Sequence, residues 1–299
     1  MSFYLSVFTG ICINVIGVLS IYIITGLNGL FSLGQASFML IGAYAGGMLS
    51  ISYNVPLPVG IIVGVIIGIL FALVLGIPTV KLGRDYVALV TFGFGQAIVA
   101  LLNNMANVTG GALGLSGVAK QTTALLAFLG LIFTIFIVYS FKKSKYGRQS
   151  LAIKSDPLAA AAMGINVDRI KLISFVFSGA IASFAGVLYV YFATYIEPGE
   201  FGWLKTADWI IMVFVGGINS LTGAILSGIF LSALPETLRF AGVWRIMIYC
   251  IIVLIILNFR PQGLFGSYEF SISGVVKRLR GKQNTFSKIS IRSRKEEEM

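Results

Sequence analysis

The chain has 299 residues, of which 57% are hydrophobic and only 11% are charged. A soluble domain carries roughly 25% charged residues, so this composition, with a mean hydropathy of +0.94, excludes an ordinary soluble protein and indicates a membrane protein. The net charge of +11 does not indicate nucleic-acid binding, because the basic residues lie between apolar runs, where they orient a membrane protein. The sequence contains no histidine, which excludes histidine-based catalysis, and we expect no metal site.

The apolar runs predict transmembrane helices, each of which needs about 20 mostly apolar residues. The first run follows an N-terminus without basic residues and is too long for a cleavable signal peptide, so we expect it to be a span. In chain order the predicted spans are 3–25, 35–52, 57–77, 86–104, 121–141, 172–196 and 243–259. The expected fold class is all-α, a polytopic membrane helical bundle of about 8–10 transmembrane or half-membrane helices.

Lysine and arginine residues predict the orientation of these spans. The loop 142–171 and the tail 267–299 are both rich in basic residues. Basic loops stay in the cytoplasm, so both segments are predicted to be cytoplasmic, and 105–120 and 197–208 are predicted to lie outside. The chain then divides into a transmembrane domain, 1–266, and a basic cytoplasmic tail.

Residues 209–234 are apolar but are interrupted by VGGINSLTG at 215–223. An even number of crossings must separate the two cytoplasmic segments, yet 172–196, 209–234 and 243–259 would together make three. We therefore predict that 209–234 is a broken hairpin, which enters from outside as two half-helices, breaks at GGINSLTG and returns. Such backbone is tolerated at membrane depth only inside protein or beside a water-filled cavity, and broken helices often flank transport sites. The other interpretation is one ordinary span with a glycine bend.

Two short patterns concern packing and symmetry. Gly60, Gly64 and Gly68 lie one helical turn apart, a spacing that is typical of closely packed helices in membranes. The string GLNGL at 26–30 resembles GINSL at 217–221, which is weak evidence for an internal repeat.

The predicted spans contain no Asp, Glu, Lys or Arg near their centres, and residues 1–80 contain none at all. Ion-coupled carriers usually mark their pathway with such residues. Their absence argues against a proton-coupled carrier, although a sodium site built from carbonyl groups escapes this test. The chain also lacks the phosphate-binding pattern GxxxxGK[ST]. If transport is active, the energy must come from another subunit.

The cytoplasmic loop contains a short helix signal, SDPLAAAAMG. Asp156 can cap a helix whose first residue is Pro157, and Gly164 can end it. Helices this short are marginal in water, so we expect this one to form against a partner surface, with its alanines entering a groove. The alternative is a solvated loop whose charges only set the topology.

Five segments in order resemble the permease subunits of branched-chain amino acid ABC importers, and the resemblance spans nearly the whole chain. They are TGLNGLFSLGQASFMLIGAYAGG (25–47), DYVALVTFGFGQAIVALLNN…TGGALGLSGV (85–118), GRQSLAIKSDPLAAAAMGINVDRIKLISFVFSGAIASFAGVLYVYF (147–192), FVGGINSLTGAILSG (214–228) and RPQGLFG (260–266). The resemblance implies a multi-pass permease of the bacterial or archaeal cytoplasmic membrane, with a cytoplasmic C-terminus, that moves branched-chain or related amino acids inward. It also implies that the chain itself is not an enzyme.

The same resemblance implies the partners. This chain would hold no cofactor, and ATP and magnesium would bind to ATP-binding cassette ATPase subunits. A second homologous permease, an extracytoplasmic substrate-binding protein and membrane lipid complete the implied partners, and nucleic acid is not among them. In such importers a cytoplasmic coupling helix rests in a cleft of the ATPase. The residues that match this element and its flanks are Gly147, Arg148, Asp156, Pro157, Ala160, Ala161, Gly164 and Asn166.

A zwitterionic amino acid that crosses the membrane needs polar partners without a fixed charge that would hold it too tightly. Polar residues within or beside the predicted spans are candidates, although each could instead make an ordinary interhelical hydrogen bond. They are Asn28, Ser32, Gln35, Gln96, Asn103, Thr109, Asn219 and Thr222. Asn28 and Asn219 are favoured because both lie in glycine-rich breaks.

Charged and aromatic residues on the outer side have separate expected roles. Glu197, Glu200, Lys205 and Asp208 are candidates to meet the binding protein, and Trp203 and Trp209 are expected interfacial anchors.

A secondary carrier or channel that works alone is the competing class, and transport by the purified chain alone would identify it. Within the importer class, the cargo could instead be other amino acids, urea or short amides, with sugars and nucleosides less favoured. Gln35, Gln96 and the pair Asp156–Pro157 differ from the residues of several relatives, so no cargo can be taken over from one relative.

Overall fold

The computed structural model describes residues 2–260, 262–264 and 266. These residues form a helical bundle, and seven of the helices among them are long and apolar enough to cross a membrane. The predicted all-α polytopic fold is therefore confirmed. The tail 267–299 lies outside the described residues, so its cytoplasmic position stays a prediction.

Six of the seven span-length helices agree with predicted spans. The seventh, Leu221–Phe240, is longer than the half-helix predicted for that part of the broken hairpin, and the predicted span 243–259 contains only the shorter helix Arg245–Phe259. In chain order the helices are α1 (Ser2–Ile21), which continues as a π-helical turn (Tyr22–Leu27), α2 (Gln35–Tyr53), α3 (Leu57–Thr79), α4 (Arg84–Asn104), α5 (Ala106–Thr109), α6 (Ala124–Lys143), α7 (Lys145–Ser155), α8 (Pro157–Ala162), α9 (Val167–Ala193), α10 (Trp203–Gly216), α11 (Leu221–Thr237) and α12 (Arg245–Phe259). Short 3₁₀ turns occupy Gly111–Leu113, Pro198–Phe201 and Leu238–Trp244. Two strands, β1 (Leu115–Ser116) and β2 (Tyr195–Ile196), pair antiparallel, with Leu115 opposite Ile196.

The basic loop differs from the sequence prediction in two ways: one helix begins earlier, and one helix is additional. Side-chain caps explain both differences. Helix α9 begins at Val167 rather than 172, because the Asn166 Oδ1 accepts a hydrogen bond from the Arg169 N–H at 3.0 Å. The loop also contains α7, which was not predicted. Its N-terminus is capped by Ser144, whose hydroxyl oxygen accepts from the Gly147 N–H at 3.3 Å.

Helices α2, α3 and α9 pack closely at the centre of the bundle. The predicted glycine seam of α3 faces α9, because a Cβ at Gly60 would meet the Tyr191 ring, one at Gly64 the side chain of Val187, and one at Gly68 the side chain of Ser183. The order of these contacts makes α3 antiparallel to α9. The packing role predicted for this seam is confirmed.

The contact between α9 and α2 at Gly186 is tight enough for a stability prediction. A Cβ at Gly186 would overlap the backbone carbonyl oxygen of Met39, which cannot rotate away. We expect Gly186→Ala to destabilise the fold by about 1–3 kcal/mol, the usual range for overpacking, although alanine is intrinsically the better helix former. The thermal unfolding midpoint of the purified protein in detergent measures this loss. Gly93→Ala on α4 is the control, since nothing lies within 4 Å of its added Cβ; equal midpoints for the two variants would contradict the prediction.

One end of the bundle collects several helix ends, and we call it the basic end because Lys142 and Lys154 lie there. Helices α1 and α6 run toward it side by side, with Phe8 beside Phe128 and Tyr22 bonded to Lys142. We call the opposite end, where α1 begins, the outer end. The chain that follows α12 also returns to the basic end, since the Leu264 N–H donates to the Val215 carbonyl near the end of α10 at 2.8 Å.

Helices α10 and α11 form an antiparallel hairpin whose tip, residues 217–220, lies at the basic end. The hairpin is longer at both ends than the predicted 209–234. The predicted hairpin began only after the charged residues Lys205 and Asp208. In the structure α10 includes both, because the Lys205 ammonium lies over the Tyr189 and Phe201 rings and is tolerated inside the bundle. The break is thus level with the basic loop rather than halfway through the bundle. Gly217 makes the turn with φ +110°, which only glycine adopts readily.

A second break, residues 28–34, separates the end of α1 from α2. Helix α2 begins beside the middle of α9, because the Gln35 amide donates to the Ser178 hydroxyl. That hydroxyl in turn donates to the Ser20 carbonyl at 2.6 Å. The non-helical segment therefore runs inside the bundle, which is the setting that membrane proteins tolerate for such backbone.

Candidate functional site

The two glycine-rich strings that resemble each other, GLNGL and GINSL, lie side by side at the basic end. A Cβ at Gly26 would lie 2.9 Å from the carbonyl oxygen of Ile218. The end of α1 and the hairpin tip therefore touch through their backbones, and they close the bundle at this end.

Two lysines from the basic loop join these breaks. The Lys154 ammonium donates to the Gly26 carbonyl at 2.6 Å and to the Asn219 Oδ1 at 2.7 Å. The Lys142 ammonium donates to the Tyr22 hydroxyl at 2.9 Å and to the Asn219 carbonyl at 3.3 Å. We call Lys142, Lys154 and these three partners the lysine bridge. Hydrogen bonds from a charged donor are stronger than neutral ones, so the bridge ties α6 and α7 to both breaks.

Several buried polar atoms in and beside the first break have no hydrogen-bond partner within the described part of the chain. They are the Oγ1 of Thr25, both side-chain polar atoms of Asn28, the Oγ of Ser32 and the Oε1 of Gln35. An unsatisfied buried polar group costs roughly 1–3 kcal/mol, and native proteins contain few of them. Three of the predicted path residues thus lie where a water molecule or a polar solute would satisfy them.

The other predicted path residues are arranged in different ways relative to this group. Gln96 and Asn103 lie half-buried on α4, which contributes nothing to the lysine bridge. Thr109 donates to the carbonyls of Leu102 and Met105, so its hydroxyl is used within its own loop. Thr222 lies 3.1 Å from the Ser220 hydroxyl in the first turn of α11. The structure therefore brings Asn219 to the first break and places Gln96 and Asn103 on α4, whose Thr91 hydroxyl accepts a hydrogen bond from the Leu33 N–H of that break at 3.1 Å.

The short helix predicted in the cytoplasmic loop is present as α8, and its N-terminus is capped as expected. The Asp156 Oδ1 accepts from the Leu158 and Ala159 N–H groups at 2.8 and 3.1 Å. Pro157 is the first helical residue, and Gly164 follows the helix with φ +80°. These three residues define the helix ends, as Asn166 does for α9.

The faces of α8 differ from the sequence expectation. The side chain of Ala160 is only 5% exposed and packs with Ile153 of α7 and Ile170 of α9, so it seats the helix on its own chain. Leu158 and Met163 are 84% and 82% exposed, and Ala161 is also exposed. The face that is available to a partner is thus built around two large apolar side chains, which the alanine-based prediction missed.

The remaining predicted coupling residues lie on α7. Arg148 is exposed on this helix, whereas Gly147 is buried where a Cβ would overlap the carbonyl oxygens of Phe141 and Lys142. Helix α7 is also fixed to α9 by the hydroxyls of Ser150 and Ser174, 3.0 Å apart. Since Lys154 belongs to α7, the helix that precedes the exposed tip also carries one lysine of the bridge.

The contacts made by two lysines and one tryptophan were not predicted from the sequence. Lys142 and Lys154 were read only as markers of topology. Trp209 was expected to be an interfacial anchor, which is wrong: its side chain is fully buried, and its Nε1 donates to the Asn14 Oδ1 at 2.6 Å. Asn14 also donates to the Ser232 hydroxyl at 2.7 Å. The only sequence signal for this group was the presence of single polar residues within apolar runs.

Comparison with known proteins gives a consistent family. The family model described as "Branched-chain amino acid transport system / permease component" matches residues 3–257. The high-affinity branched-chain amino acid transport system permease protein LivM of Escherichia coli (strain K12) is 28% identical over 280 residues, which covers 82% of this chain and 66% of that protein. The corresponding LivH protein of the same strain is 33% identical over 147 residues, covering 48% of this chain and 45% of its own length.

A more distant relative is archaeal. The probable branched-chain amino acid transport permease protein LivM of Methanocaldococcus jannaschii is 24% identical over 221 residues, covering 63% of this chain and 62% of its own length. This chain therefore spans slightly less than two thirds of the length of these two LivM proteins. No solved structure matches it significantly. Because the family model extends from residue 3 to residue 257, the chain belongs to the family of branched-chain amino acid transport permease components.

Proposed function

We propose that this multi-pass membrane protein is the permease subunit of an ABC importer that moves branched-chain amino acids inward across the cytoplasmic membrane. ATP hydrolysis in partner ATP-binding cassette subunits supplies the energy. A second homologous permease and an extracytoplasmic binding protein complete the importer. The basic end faces the cytoplasm, together with the C-terminus, and the exposed outer-side residues Glu197 and Glu200 meet the binding protein.

The lysine bridge is the observation that carries this proposal. A permease driven by a separate motor needs a mechanical connection between the surface that the motor moves and the point where the pathway closes. Helix α8 offers the surface, and Lys154 on the adjoining α7 contacts the Gly26 carbonyl and Asn219 at the closed breaks. Movement of α7 and α8 by the ATPase would change the contacts that hold the two breaks together.

The closed breaks then act as the inner gate of the pathway. In the conformation described, Gly26 and Ile218 touch and both lysines are bonded across the gate. An ATP-driven shift favours the other state only if the ATPase contacts the two states differently. Polar atoms of Asn28, Ser32 and Gln35 that have no hydrogen-bond partner line the route next to this gate and satisfy a passing solute without holding it by a fixed charge.

The test is reconstitution with the proposed partners. The chain is co-purified with its ATPase and permease partners, placed in liposomes, and given the binding protein and a panel of labelled solutes: leucine, isoleucine, valine, glutamine, urea and acetamide. We expect uptake of the three branched-chain amino acids with ATP and none without it. Uphill uptake by this chain alone would instead support a secondary carrier, and ATP-driven uptake of urea or acetamide alone would contradict the cargo.

A further inference from the structure

A cavity of about 570 Å³ lies at the outer end of the bundle. One face of α1 forms a wall, and residues of α2, α9, α10, α11 and the start of α12 complete the lining. Its lining includes Asn14, Met39, Phe192, Lys205, Glu236 and Arg239. Ligand cavities in proteins usually measure about 300–1,000 Å³, so this one is large enough for an amino acid and some of its water.

A network of buried polar groups lies at the inner end of this cavity. Asn14 lines the cavity, accepts a hydrogen bond from Trp209 and donates one to Ser232. Beyond this network α1, α10 and α11 continue to the lysine bridge, where the gate is closed. A solute in the cavity would therefore reach the outer end freely and be stopped on the way to the basic end.

The cavity lining holds both charged side chains and an apolar wall. The Lys205 ammonium lies 4.8 Å from the centre of the Tyr189 ring and 4.7 Å from that of Phe201, which holds it in place beside the lining. Glu236 supplies a carboxylate from α11, and Met39 and Phe192 supply an apolar surface. Lys205 and Glu236 thus offer a positive and a negative group beside an apolar wall, the partners that a zwitterionic amino acid with an aliphatic side chain requires. Arg239 and Arg245 add two further cations to the lining.

We propose that this cavity is a binding site for such a zwitterion. The Lys205 ammonium donates to the α-carboxylate, the Glu236 carboxylate accepts from the α-ammonium, and the aliphatic side chain lies against Met39 and Phe192. The inference rests on the proposed function for its cargo class, and it assigns specificity to the permease itself, in addition to that of the binding protein.

The test measures direct binding to the purified permease–ATPase complex in detergent, without ATP or binding protein. Equilibrium dialysis compares labelled leucine with leucinamide, which lacks the carboxylate, and with 4-methylpentanoate, which lacks the ammonium. We expect the wild-type complex to bind leucine at least about ten-fold more tightly than either analogue, because each analogue loses a charge-assisted hydrogen bond. Lys205→Met is expected to abolish the preference over leucinamide, and Glu236→Gln the preference over 4-methylpentanoate.

Lys120→Met is the matched control. Lys120 also lies over a ring at the outer end, 5.6 Å from the centre of Phe192, but it does not line the cavity. We expect it to bind all three compounds as the wild type does. A wild-type complex that binds leucinamide as tightly as leucine would overturn the proposal without any variant, and so would unchanged leucine binding in Lys205→Met. ATP-driven leucine uptake in liposomes is measured separately. Uptake by a complex that shows none of the expected binding would refute the cavity site and leave the proposed function intact.

Discussion

Replacing Leu158 and Met163 together with aspartate is expected to abolish ATP-dependent uptake while the protein still inserts and folds. Both side chains project from the ends of α8 and are 84% and 82% exposed, so the change removes no contact within the chain. If they fill a cleft of the ATPase, each aspartate places an unpaired charge in an apolar interface. Losses of about 2–5 kcal/mol are usual for such changes, enough to weaken docking by 30-fold or more.

Two measurements separate a docking defect from a folding defect. Uptake of labelled leucine into liposomes is expected to fall to background, and the ATPase subunits are expected to be lost when the variant is purified through a tag on this chain. The elution profile and unfolding midpoint of the chain itself should match the wild type. Ala152→Asp, at an exposed position of α7, is the control and should leave both readouts intact. Wild-type uptake by the double variant would remove α8 from the coupling mechanism.

The location of Ala160 decides which substitutions can test docking. Its side chain packs with Ile153 and Ile170, so Ala160→Asp would bury a carboxylate against two aliphatic side chains. Loss of transport in that variant would report damage to the loop as readily as loss of docking. Ala161, which is exposed, does not have this disadvantage. Sequence alone could not separate these neighbours, because both belong to the same alanine run.

The features that sequence predicted well are those set by local chemistry. A membrane span requires about 20 consecutive apolar residues, so a long transmembrane helix can be predicted from its own segment of sequence. The cap at Asp156, the helix end near Gly164 and the close packing of Gly60, Gly64 and Gly68 depend on residue type and spacing within a few turns. None of these required knowledge of the rest of the chain.

The features that sequence missed depend on contacts between distant segments. Lys154 and Gly26 are 128 positions apart, and Trp209 and Asn14 are 195 apart. A lysine beside an apolar run is an ordinary signal of topology, and a tryptophan near its end is an ordinary interfacial anchor. Only the fold reveals that these side chains point inward, and that the hairpin tip lies at the basic end rather than halfway through the bundle.

The second large effect is expected from Lys154→Met, which should separate ATP hydrolysis from transport. Methionine keeps much of the apolar stem and removes the ammonium that bonds the Gly26 carbonyl and the Asn219 Oδ1. Hydrogen bonds to a charged group contribute roughly 1.5–3 kcal/mol each, so the connection between α7 and the two breaks weakens substantially. Movement of α7 would then no longer open or close the gate.

The measured quantity is the number of leucine molecules moved per ATP hydrolysed in liposomes that contain the complete importer. We expect this ratio to fall at least about ten-fold, because a loss of 1.4 kcal/mol already changes an equilibrium ten-fold. Lys143→Met is the matched control: the neighbouring ammonium lies 4.3 Å from the centre of the Tyr139 ring and takes no part in the lysine bridge. Lys154→Arg, which keeps a charged donor, should restore part of the ratio. If Lys154→Met and Lys143→Met moved leucine equally well per ATP, the bridge would be a static contact and the gate would be driven from elsewhere.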